Sequence, residues 1–212
     1  MDKLTNQDVL AFLELLTDEL PQHQDELREL DAQVGDGDLG ITIVLGMKGI
    51  KEALPALADS DIGTILARSG MNFNRAAAST FGVLFASALM RAGKQVQNKT
   101  EIELNELAEI FAASAEGIRQ RGNAQLGDKT MLDVIVPMAE TLQQAAVSGW
   151  GMAQAVQSAQ ARCREALEEI TPLVGKHGRS GWMGEKGAGV PDPGATAICL
   201  MMECFGRFIE SH

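Results

Sequence analysis

Asp31, Asp36 and Asp38 fall within the stretch Leu30–Thr42, LDAQVGDGDLGIT, with Gly35, Gly37 and Gly40 among and after them. Carboxylates this close repel. A like-charge pair at ~4 Å costs ~1 kcal/mol in water and roughly four times that near a protein surface. No Lys or Arg inside the stretch offsets the repulsion. A bound cation does, and carboxylate oxygens are hard donors suited to magnesium or calcium. Alternation along an extended segment puts Asp36 and Asp38 on one side. Glycine lets the backbone turn so that Asp31 joins them. The residues that follow, Gly40 to Ile50, have the pattern of a helix start, and a helix N-terminus attracts phosphate through its free N–H groups and its dipole. The stretch reads as a site for a metal-bound polyphosphate. A plain solvated acidic turn is the alternative these residues leave open. A calcium EF-hand loop is not: begun at Asp36, it needs Gly at its sixth position and Glu at its twelfth, where the chain has Ile41 and Met47.

The remaining composition narrows the partners. The 212 residues carry a net charge of −11 and no run of Lys or Arg. That argues against nucleic acid and anionic membrane surfaces. Aromatic residues make up 4% with no Tyr, which removes stacking platforms for bases. An anionic ligand therefore needs local help from a metal or a helix end. Cys163, Cys199 and Cys204 are too few and too scattered for a disulfide framework or a zinc site, so free thiols are expected. The opening MDKLTNQDVLAF has neither signal-peptide nor transit-peptide character. No apolar run reaches the ~20 residues of a membrane span. A cytoplasmic chain of one domain, residues 1–212, is expected.

The elements that must position the aspartates are helices. Apolar residues recur at helical spacing from Thr5 to Leu20, with Thr5 or Asn6 as cap. Pro21 interrupts, and Gln22 to Val34 continues with Asp31 in its last turn, where a carboxylate opposes the helix dipole. Helices follow over Gly40–Leu57, over Ile62–Asn74 with Asp61 as cap, and over the small-residue stretch Ala76–Val96. Thr100 and Glu103 have capping-box spacing for a helix ending near Gly122. A long helix over Ser148–Val174 and a last one over Ala195–Glu210 complete the set, with Pro193 at an early helical position. No segment alternates with period two. The reading is all-α, about eight helices joined by short loops that favour antiparallel neighbours.

Two further segments stand out. Gly122–Asp133 contains LGDKT, close to the phosphate-binding G-x-x-x-x-G-K-T pattern. Asp128 is inserted and no strand precedes it, so a P-loop is rejected and Asp128 or Thr130 is read as a helix cap. Gly175–Gly194, GKHGRSGWMGEKGAGVPDPG, is long for a loop in a compact domain, and such loops often act as lids or binding loops. All three segments lead into helix N-termini, and gathering those at one rim would build a phosphate site over the aspartates. His23, His177 and His212 have no catalytic spacing and are read as surface residues.

LDAQVGDGDLG, RGNAQLGDKTMLDV and KHGRSGWMGEKGAGVPDPGAT, in this order, resemble the nucleotide-binding L subunit of bacterial dihydroxyacetone kinase. The likeness covers essentially the whole chain, and its length matches the stand-alone subunit rather than the fused ATP-dependent kinase. The resemblance implies a closed barrel of eight antiparallel helices with ADP or ATP at one rim. It implies two magnesium ions on Asp31, Asp36 and Asp38. Nucleotide contacts would come from Leu39, Gly40, Ile41 and Thr42, from Ser79, Thr80 and Phe81, and from Gly122, Met131, Arg179, Asp192, Pro193 and Gly194. It further implies a K-type subunit that holds dihydroxyacetone and a phosphoryl-carrier M-type subunit of the phosphotransferase system that recharges ADP in place. No catalytic side chain is implied, because phosphoryl transfer needs alignment and charge neutralisation more than covalent help. The sequence departs from the family at Leu39, where a histidine is usual. It departs again at Arg75–Gly82, RAAASTFG, where the family has a glycine-rich S-x-G-G-x-S-G turn.

The expected activity is thus transfer of phosphoryl from nucleotide to a small keto-sugar on a partner subunit. A nucleotide-binding regulatory paralogue without turnover and a magnesium-dependent hydrolase are the rivals.

Overall fold

The computed structural model describes residues 2–212. Among the described residues ten α-helices carry the fold: α1 (Asn6–Glu19), α2 (Gln24–Val34), α3 (Leu39–Ala53), α4 (Ile62–Ala76), α5 (Thr80–Gln95), α6 (Leu104–Gly122), α7 (Leu132–Val147), α8 (Met152–Ile170), the single turn α9 (Ser180–Met183) and α10 (Pro193–Ser211). The expected all-α class holds. The one sheet among the described residues is a two-residue pair, β1 (Leu4–Thr5) antiparallel to β2 (Glu101–Ile102), with Leu4 opposite Ile102. From α2 to α8 each helix packs on the next, and α10 packs on α8, α1 and α2. No described helix is long and apolar enough to cross a membrane.

Local chemistry sets the helix starts. Thr5 and Asp8 form a capping box at α1. Asp61 accepts from the Thr64 N–H at 3.1 Å at the start of α4, and Ser79 Oγ accepts from the Gly82 N–H at 3.0 Å at the start of α5. Between the helices, Leu27, Ile43, Met47, Ile50, Ile65, Phe73, Leu132 and Leu142 are completely buried. Truncating any of them to Ala would cost about 2–5 kcal/mol. The helices also surround an apolar cavity of about 170 Å³ lined by Leu13, Phe85, Ile118, Met138 and Met202 among others.

Several boundaries differ from expectation. The stretch read as one helix over Ala76–Val96 is broken at Ala77–Ser79, because the Ser79 side chain competes for backbone N–H groups and caps α5 there. The capping box of α6 lies one pair further on than expected, at Glu103 and Glu106. Neither Asp128 nor Thr130 is the cap of α7, whose N-cap residue is Met131. The Gly175–Gly194 loop is partly ordered, holding α9 and a 3-10 turn at Gly184–Gly187. Cys163 on α8 and Cys199 on α10 form a disulfide, their Cα atoms 5.8 Å apart, so only Cys204 has the expected free thiol. The two helices pack side by side and place buried positions 36 residues apart in direct contact, which spacing in the chain does not reveal.

Candidate metal and phosphate site

Asp31 lies in the last turn of α2, Asp36 in the connection, and Asp38 at the N-cap of α3. One carboxylate oxygen from each lies within 4.8 Å of the others. Asp31 Oδ2 accepts from the Leu39 N–H at 3.1 Å, tying the end of α2 to the start of α3. An aspartate at an N-cap ordinarily accepts an N–H of the first turn. Asp38 does not, and its carboxylate stays with the other two. Partial burial, then Asp36 and Asp31, push the Asp38 carboxyl above its ordinary value. Arg179 Nη1 sits 2.7 Å from Asp36 Oδ2. A guanidinium thus occupies the place where this cluster calls for positive charge. Three hard oxygen donors, mutually repelling and exposed on one side, fit magnesium.

The cluster forms the floor of a cleft of about 530 Å³. Leu39, Ser79, Thr80, Phe81, Met131, Arg179, Asp192, Pro193 and Gly194 line it with the three aspartates. The first turns of α3, α5 and α10, and the residues just ahead of α7, therefore open on one space. Each helix start brings unpaired N–H groups and the positive end of a dipole.

The other expected contacts lie behind that surface. Gly40 and Thr42 are buried and Ile41 is 46% exposed, and none of the three lines the cleft. Gly122 ends α6 and backs onto the Leu84 side chain, which does line it. Ser79 uses its hydroxyl as a cap, and the Phe81 ring stacks on Phe85, centroids 5.8 Å apart. Asp192 caps α10, accepting from the Ala195 N–H at 2.8 Å. Burial pushes its carboxyl up to about 6, against that hydrogen bond and the pull of Lys129.

Thr130, His177, Gly178, Ser180 and Trp182 also line the cleft, and sequence reasoning did not single them out as ligand contacts. Their signal was the loop itself: a long glycine-rich segment with charged residues. His177 is partly exposed at the surface, as expected, but it also makes a contact that the sequence did not suggest. Its Nε2 lies 2.8 Å from Asp128 Oδ2, and Lys176 Nζ lies 2.9 Å from Asp128 Oδ1. The Gln125 N–H, Lys176 and His177 together hold the Asp128 carboxyl down at about 2. A folded-state pKa below the ordinary 3.8 stabilises the fold above that value and is lost as pH falls from about 4 through about 2. Acid unfolding followed by circular dichroism should show that loss, and Asp128→Asn should remove it, leaving a flatter stability profile over the same range. Equal profiles for the two proteins would contradict the assignment.

Residues 33–207 match the family described as the DAK2 domain. The PEP-dependent dihydroxyacetone kinase, ADP-binding subunit DhaL, of Escherichia coli is 33% identical over 94% of this chain and 95% of its own. The L-erythrulose 1-kinase of Mycolicibacterium smegmatis is 32% identical over 95% of this chain, which spans 35% of that longer protein. The crystal structure of the C. freundii dihydroxyacetone kinase superposes with a TM-score of 0.75 at 25% identity, covering 99% of this chain and 35% of that one. The chain belongs to the DAK2-domain family that includes the DhaL subunits of dihydroxyacetone kinase.

Proposed function

We propose that this chain is the ADP/ATP- and magnesium-binding subunit of a kinase for dihydroxyacetone or a related keto-sugar. The observation that carries this reading is the opening of four helix starts onto a cleft floored by three aspartates. A cleft with both features suits a metal-bound polyphosphate. Asp31, Asp36 and Asp38 would hold two magnesium ions. Bound magnesium supplies charge neutralisation and alignment for phosphoryl transfer. The Thr80 and Phe81 N–H groups at the start of α5 would face phosphate oxygens, Arg179 would leave Asp36 for phosphate, and Met131 with Gly194 would border the nucleoside.

The acceptor hydroxyl belongs to the keto-sugar, which in this reading is held by a K-type subunit docked over the rim; the relatives named as subunits of dihydroxyacetone kinases support such a partner. Two routes of supply fit this reading: recharging of bound ADP, for which we infer an M-type carrier and which the PEP dependence in the E. coli relative's name supports, or direct use of ATP. The E. coli relative, matched over nearly its whole length, favours the first.

The capped Ser79 hydroxyl and the packed Phe81 ring favour one alternative, a nucleotide-binding interaction subunit without turnover. The two readings separate when the chain is incubated with a K-type subunit from the same organism, magnesium, ATP, and dihydroxyacetone or erythrulose. Phosphorylated sugar is the expected product. Tight nucleotide without product supports the alternative. No magnesium-dependent nucleotide binding at all overturns both.

A further inference from the structure

The lysine of the GDKT turn does something other than bind phosphate. Lys129 is 3% exposed, and its Nζ donates to the carbonyl oxygens of Thr171 at 2.8 Å, Leu173 at 2.9 Å and Gly187 at 2.9 Å. An ammonium has three N–H donors. All three are engaged, so none is left for a ligand. Two of the acceptors lie just past the end of α8, where helix carbonyls lack partners and attract cations. The third lies across the glycine-rich segment, in the 3-10 turn after α9. Lys129 itself has a φ of 60°, a left-handed backbone that a side-chain-bearing residue rarely adopts and that persists only where the surrounding structure holds it.

We propose that Lys129 is a positioning residue of the nucleotide cleft, a latch that joins both ends of residues 173–187 and so holds Arg179 above the aspartates. The inference rests on the nucleotide reading above. A second tie runs alongside. The Lys176 N–H donates to the Asp128 carbonyl at 3.1 Å, and the Asp128 carboxylate holds Lys176 and His177. The Gly189 N–H donates to Thr171 O at 2.9 Å, closing the same loop by backbone. With its ends fixed, the loop places Arg179 2.7 Å from Asp36. Without the ammonium, the Leu173 carbonyl loses its donor, Thr171 and Gly187 keep only the backbone N–H groups of Gly189 and Val190, and the loop's ends have only the peripheral ties.

The test compares Lys129→Met with the unaltered chain by magnesium-ADP calorimetry and by trypsin cleavage without nucleotide. Magnesium-ADP affinity should fall in proportion to the lost population of the ordered loop, on the order of tenfold. Cleavage after Lys176, Arg179 and Lys186 should rise by at least about tenfold, since it follows the open population of the loop. Leu13→Ala on α1 is the control for lost stability alone and should alter neither readout. Unchanged cleavage overturns the latch, even if ADP affinity falls, because Lys129 would then act on the ligand directly. Equal effects from Leu13→Ala also overturn it. If the unaltered chain binds no magnesium-ADP, the nucleotide reading fails and the cleavage comparison still decides the latch. Should Lys129→Met not fold, acylation of the unaltered chain decides: Lys129 should resist reagent while Lys176 and Lys186 react, and equal reactivity overturns the proposal.

Discussion

Asp36→Asn is expected to weaken magnesium-dependent ADP binding by about 100- to 1,000-fold. A unit charge at ~4 Å is worth ~4 kcal/mol at the effective dielectric of a protein surface, and each 1.4 kcal/mol is tenfold in affinity. The lower part of the range allows for solvent around Asp36, whose side chain is 37% exposed. Asp36 caps no helix and lies between α2 and α3, so helicity should not change. Its ion pair with Arg179 is lost as well, and that frees the guanidinium without creating a site for the metal. Calorimetry with and without magnesium reads the effect. Affinity equal to that of the unaltered chain would show that the acids do not hold the ion.

A backbone contact produces the second large effect. A Cβ at Gly40 would run into the carbonyl oxygen of Gln24 and sit 3.1 Å from Arg28 Cβ. The obstruction is main chain, so Gly40→Ala must push the start of α3 away from α2. That seam carries the Leu39 N–H to Asp31 hydrogen bond and therefore the geometry of the cluster. Overpacking of this kind costs about 1–3 kcal/mol, a fall in Tm of roughly 2–12 °C for a chain of this size. Magnesium-ADP affinity should fall with it. Gly93→Ala provides the contrast. Its Cβ would meet the Gly63 carbonyl oxygen and the Ala67 N atom at 3.1 Å, also main chain. Gly93 lies about 20 Å along α5 from the helix start that lines the cleft. It should lower Tm comparably and leave affinity alone. If both variants bind equally well, the close approach of α2 and α3 has no bearing on the site.

These expectations show which parts of the molecule were legible in the chain. The helical class followed from apolar spacing, and the caps at Thr5 and Asp61 followed from residue type, because both are local effects. The aspartate cluster was legible for the same reason: its members lie within eight residues and flank glycines. The convergence of helix starts followed from alternation along an up-and-down path. What was not legible depends on contacts across the fold. Asp128 was read as a cap, but Lys176 and His177 reach it from a segment that only the packing of α8 and α10 brings near. Cys163 and Cys199 meet through that same packing. Lys129 looked like a failed phosphate ligand because no local pattern reveals three carbonyls at its tip. The break before α5 was hidden inside a run of small residues that is equally compatible with one continuous helix.

The central claim is that Asp31, Asp36 and Asp38 hold divalent cations that seat a phosphate chain against the helix starts. The most direct measurement is diffraction at the manganese edge from crystals grown with ADP and manganese in place of magnesium. The account predicts anomalous peaks in direct contact with the three carboxylates, phosphate oxygens on the far side of the metal, and Arg179 drawn away from Asp36. Nucleotide bound elsewhere, with the carboxylates bare and no anomalous signal among them, would contradict it.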